Sequence, residues 1–121
     1  MAVSTAFDDI DIAELAALPP ERRDALPYGV VGLDPAGLVV IYSATEARMA
    51  GLDRKSVIGM QFFDAVAQCM NNFMVAQRFE DEAELNETFP YVLTLRMRPT
   101  RVRLRLLATQ AEPLNYILIE R

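Results

Sequence analysis

The most reactive side chain in this 121-residue chain is a lone thiol, Cys69. It has no second cysteine to pair with, and the chain contains no histidine. That composition removes intramolecular disulfides, CxxC metal sites, imidazole-ligated haem or zinc, and Cys-His or Ser-His-Asp catalysis. Cys69 is then either a small core filler, the commoner fate of free cysteine, or the anchor of a covalent group. A nucleophilic enzyme would need an arginine or lysine to depress the thiol, and the neighbouring sequence suggests none, so an enzyme is not expected. Two protonatable oxygens, on Tyr42 and Glu46, stand one helical turn apart. Read locally, Ser43-Ala44-Thr45-Glu46 is a capping box, with Glu46 reaching back to the Ser43 amide. Tyr42 reads locally as a strand-end aromatic, and Met97 as a flexible gap filler.

The elements that position these residues must come from one domain. An apolar content of 52% supplies its core, yet no run approaches the roughly 20 apolar residues of a membrane span. No basic segment followed by an apolar stretch opens the chain. With one cysteine, this fits a cytoplasmic protein. The net charge of −5 argues against nucleic acid as a partner. Five arginines (Arg96, Arg98, Arg101, Arg103 and Arg105) cluster late in the chain. They can form an anion patch, but the charge pattern favours a solvated strand face.

Residues 1–26 read as a helical cap. Asp8 or Asp9 begins a short helix carrying Ile12, Leu15 and Leu18, and Pro19-Pro20 ends it. Glu21 to Leu26 adds another turn. Tyr28 to Leu33 and Leu38 to Tyr42 read as strands joined by the turn Asp34-Pro35-Ala36-Gly37. Ser43 opens a helix that Gly51 stops, Asp53 caps a second to Ile58, and Phe62 to Ala67 forms a third. The longest helical candidate is Asn71 to Glu84. Phe89 to Met97, Arg101 to Thr109 and Leu114 to Ile119 complete the sheet. The order predicts an α+β domain over residues 27–121: a five-stranded antiparallel sheet with helices on one face, the PAS arrangement. That fold alone leaves function open.

Over nearly its whole length the sequence resembles the photoactive yellow protein family. The resemblance rests on Tyr42 with Glu46, on Ile58-Gly59-x-x-Phe62-Phe63-x-x-Val66-Ala67-x-Cys69, and on Met97-x-Pro99-Thr100. It implies a blue-light photoreceptor with p-coumaric acid (4-hydroxycinnamic acid) held covalently as a thioester on Cys69. It implies that Tyr42 and a protonated Glu46 donate hydrogen bonds to the phenolate oxygen. It also implies that Glu46 yields its proton after trans–cis isomerisation, leaving an unpaired buried carboxylate that loosens the cap. The implied pocket comprises Val31, Ala50, Leu52, Phe62, Val66, Ala67, Leu93, Leu95 and Met97, with Met97 assisting the return to the dark state. The implied partner is an unidentified downstream signalling protein that reads this chain, itself a monomer or weak dimer. The alternative is a PAS module for ligand sensing or dimerisation without photochemistry. The sequence departs from the usual family pattern at Leu52, commonly arginine, at Ala50, commonly threonine, and at Gln68, commonly proline. Leu93 and Leu95 stand where aromatics are usual.

Overall fold

The computed structural model describes residues 4–94 and 98–121. Its frame is one antiparallel sheet of five strands: β1 (Gly29–Leu33), β2 (Val39–Tyr42), β3 (Leu85–Leu93), β4 (Thr100–Ala108) and β5 (Asn115–Glu120). They lie in the order β2-β1-β5-β4-β3. Directly opposed residues of antiparallel strands share a face. Tyr42 lies opposite Val31, Val31 opposite Ile117, Ile117 opposite Leu106, and Leu104 opposite Phe89. This inner face packs against the helices. The outer face carries Val30, Tyr116, Leu118 and Leu107, which pack with Phe7, Ile10, Leu15, Leu26 and Tyr28. Residues buried on both faces explain why β1 is apolar throughout rather than alternating.

Local chemistry sets the first turns. Asp34 Oδ1 accepts hydrogen bonds from the amides of Ala36 and Leu38, and the Gly37 amide donates to the Asp34 carbonyl. Gly37 has a positive φ of 85°, which an L side chain adopts only under strain. The result is the expected tight hairpin. Helix α3 (Ala44–Ala50) begins at Ser43, whose hydroxyl accepts from the Glu46 amide, and ends at Gly51 in the left-handed region. Helix α4 (Arg54–Val57) is capped by Asp53.

The cap contains α1 (Ile12–Ala17) and α2 (Pro20–Asp24). Asp11, rather than Asp8 or Asp9, caps α1 by accepting from Glu14. Asp8 is instead drawn to Arg103. The arginine cluster corrects a second expectation. Arg105 is not solvated: it is 4% exposed, and its guanidinium donates to the carbonyls of Phe7 and Ile10 and to Asn86 Oδ1. Arg103 joins Asp8 to Glu120 and lies 4.9 Å from the Phe7 ring centroid. These two arginines fasten the cap to the sheet.

The long helix expected over Asn71 to Glu84 is reduced to α5 (Ala76–Asp81). The Asn72 side chain accepts from the amides of Met74 and Val75, competing with helical backbone bonds. At the far end, β3 starts at Leu85, four residues before the expected Phe89, because Leu85 to Thr88 pair with Arg105 to Ala108. Pro90 is tolerated because β3 is an edge strand. The C-terminal part of the expected strand, Leu95 to Met97, lies outside the described residues. No helix among the described residues is long and apolar enough to cross a membrane.

Candidate functional site

Cys69 lies in a tight turn, Gln68–Met70, that follows one wide turn over Phe62–Val66. The wide turn is closed by the Ala67 amide donating to the Phe62 carbonyl five residues back, at 2.8 Å. It buries Phe62 and Ala67 and sets the thiol at the rim of the inner core. Cys69 is half-buried and unpaired in any disulfide. Its backbone carbonyl accepts from the Tyr91 hydroxyl and from Asn72 Nδ2. Asn72 also donates to the Tyr91 oxygen at 2.7 Å. This three-residue brace fixes the Cys69 backbone.

Val31, Tyr42, Phe62, Ala67 and Leu93 belong to one buried apolar cluster, and Leu52, Val66 and Cys69 pack against it. Ala50 lies beside a cleft of about 290 Å³ that Leu93, Arg48, Arg98 and Arg121 also line. Leu95 and Met97 fall outside the described residues, so eight of the twelve candidates share one cluster and Glu46 is its polar neighbour. Glu46 is 1% exposed and Tyr42 is 3% exposed. Burial pushes the Tyr42 hydroxyl well above the ordinary phenol range, the Glu46 charge pushes it further, and Arg121 opposes both. Burial likewise raises the Glu46 carboxyl, with Arg121 pulling it back.

The Glu46 carboxylate does not complete the capping box. Its own amide donates to the Ser43 hydroxyl, but the Ser43 amide donates to the Val30 carbonyl. The two carboxylate oxygens accept from Arg121 at 2.7 and 3.1 Å. The sequence assigns Glu46 no counter-charge, and the fold brings one to it. Arg121 follows β5, 75 residues from Glu46 in sequence, so no local motif announces the pair. Tyr91 and Asn72 were equally hidden, although Tyr91 shares the inward parity of Leu93 on β3. No group of ligating side chains suited to a metal occurs among the described residues.

A five-stranded antiparallel sheet in the order β2-β1-β5-β4-β3, with short helices over its inner face, defines a PAS domain. Solved structures agree: the PAS domain of an HTR-like protein from Haloarcula marismortui superposes with a TM-score of 0.59 at 20% identity, covering 84% of this chain and 94% of that one. The photoactive yellow protein domain of the sensor histidine kinase Ppr from Rhodospirillum centenum superposes with a TM-score of 0.82 at 29% identity, covering 90% and 98%. Among curated sequences, photoactive yellow protein of Halochromatium salexigens is 32% identical over 117 residues, 94% of this chain and 93% of that protein. Photoactive yellow protein of Rhodothalassium salexigens is 32% identical over 102 residues, 82% and 81% of the two chains. No family model matches the chain. The chain belongs to the photoactive yellow protein family, and its fold and relatives support a sensory PAS module.

Proposed function

We propose that this chain is a blue-light photoreceptor carrying p-coumaric acid as a thioester on Cys69. One observation carries the reading: a member of this family keeps its only thiol against the same apolar cluster that holds Tyr42, with the buried carboxyl of Glu46 as that tyrosine's electrostatic neighbour. The residues suit the group. A phenol tethered through a thioester needs a free sulfur, an apolar enclosure, and donors for its oxygen, and Cys69, the cluster and Tyr42 supply these. Bound there, the group supplies absorption of blue light and isomerisation about its vinyl bond.

The chain's own residues do the rest. Cys69 anchors one end, and its braced backbone keeps that anchor still. The Tyr42 hydroxyl donates to a phenolate oxygen, and Glu46 does the same when protonated; both bonds are charge-assisted and therefore short and strong. Glu46 would then pass its proton to that oxygen, its own carboxylate remaining beside Arg121. The cap, fastened from outside the sheet, is the part whose release a downstream signalling protein would read. Burial of the apolar cluster keeps water from the donors in the resting state.

The test is reconstitution with activated p-coumarate. The parent chain should turn yellow and gain the mass of one coumaroyl group, and Cys69→Ala should do neither. A folded parent that stays colourless defeats the reading. It would favour a PAS module for ligand sensing or dimerisation, in which the Glu46–Arg121 pair is a structural ion pair.

A further inference from the structure

Glu46 sits in the first turn of α3, with its side chain 2% exposed; the Arg121 side chain that meets it is 13% exposed. Two parallel N–H···O bonds join them, the fork-to-fork arrangement that gives arginine both strength and orientation. The surrounding chain is shaped for this contact. Gly29 on β1 faces the carboxylate, and a Cβ at that position would stand 2.0 Å from Glu46 Oε1. Strand alternation also aims the guanidinium. Ile117 and Ile119 point to the inner core, while Glu120 turns outward to Arg103. The next residue in phase, Arg121, turns inward.

Among the described residues, the groups facing the pair are few. Tyr42 approaches from β2. Ser43 engages the amide of Glu46 rather than its carboxylate. Gly29 presents no side chain from β1. Arg48 and Arg98 share the cleft that Arg121 lines, adding positive charge on that side. Among the described residues, the carboxylate therefore has one guanidinium as its bound partner and a neutral hydroxyl nearby.

We propose that Arg121 is the built-in counter-charge of this site: it binds the Glu46 carboxylate at two points and so decides whether that side chain serves as an anion or as a proton donor. The consequence for photochemistry rests on the photoreceptor reading above. A phenolate, a protonated Glu46 and Arg121 sum to zero charge. After Glu46 gives its proton away, a phenol, a carboxylate and Arg121 again sum to zero. Proton movement thus relocates charge without leaving a buried ion unpaired, the condition that is costly in a protein interior. Arg121 is a positioning residue, acting through Glu46.

The experiment uses pigment-free chain labelled with ¹³C at glutamate carboxyls, with the Glu46 signal identified by its loss in Glu46→Gln. In Arg121→Met, Glu46 should bind its proton about tenfold or more tightly than in the parent, because an opposite charge at contact distance has been removed. Arg121→Lys should restore part of the difference. A second measurement needs no variant: in the parent, the ¹⁵N signals of the Arg121 guanidinium should titrate with the same midpoint as the Glu46 carboxyl. Identical Glu46 titration in the parent and Arg121→Met, or a guanidinium indifferent to that titration, would overturn the proposal. Failure to take up pigment would defeat the photoreceptor reading and leave this titration to be read unchanged.

Discussion

A carboxyl that burial makes reluctant to ionise gives the folded chain a higher proton affinity than the unfolded one at Glu46. The folded state then holds that proton where the unfolded state releases it, so the associated stability is full below the ordinary carboxylate range. It is lost as pH rises through the raised value. Glu46→Gln cannot titrate, and its unfolding free energy should be flatter over that window; urea unfolding across a pH series measures the difference. Subtracting the two curves removes Asp8 and Glu87, which Arg103 and Arg78 hold below the ordinary range and which lose stability in the opposite direction, as pH falls. If the parent and Glu46→Gln curves ran parallel, Glu46 would have no unusual proton affinity. At this scale Cys69, Tyr42 and Glu46 were singled out through the family resemblance, whereas their local pattern alone reads as a core filler, a strand-end aromatic and a capping box. Arg121 was not, because its role arises only when β5 brings it beside α3. The same holds for Tyr91 and Asn72, whose brace on Cys69 joins two segments 19 residues apart.

Among the elements, β1 and α3 approach closely beside the site, where Gly29 meets Glu46. Gly29 exists at the price of strand propensity, and the reason lies across the gap in the Glu46 side chain. Gly29→Ala should push the carboxylate off Arg121 and destabilise the fold by about 1–3 kcal/mol, the usual cost of overpacking. Chemical denaturation gives the energy, and the Glu46 carboxyl signal should titrate at a new midpoint. An unchanged midpoint would mean that the carboxylate stays in place despite the methyl group. The hairpin before α3 and the caps of α3 were legible because turn and cap residues act within a few positions of themselves. The helix over Asn71 to Glu84 was misread for the converse reason. Asn72 takes its partners from Cys69, Tyr91 and nearby amides, and those tertiary bonds outweigh helical propensity.

For the molecule as a whole, the sheet is a partition with a proposed pigment site on one side and a fastened cap on the other. Arg105 crosses to the cap with bonds that span 98 and 95 residues, a distance over which sequence pattern carries no signal. Arg105→Met should keep the aliphatic stem but orphan the carbonyls of Phe7 and Ile10. We expect a net loss of about 2–4 kcal/mol: the hydrogen bonds to a buried charge are worth about 1.5–3 kcal/mol each, and partial rehydration of the carbonyls offsets part of that. Hydrogen exchange should then quicken in residues 4–26 before it does in β4 and β5. Uniform quickening would mean that the cap and sheet open as one unit.

Glu120 and Arg121 carry opposite charges on opposite sides of that partition, one reaching Arg103 and the other Glu46. Side chains along a strand alternate, so sliding β5 by one residue would either turn Arg121 toward Arg103 or turn Glu120 toward Glu46, depending on the direction of the slip. The adjacent pair thus works as a keying device: either one-residue slip brings like charges together on one side of the partition and strips the charge on the other side of its partner.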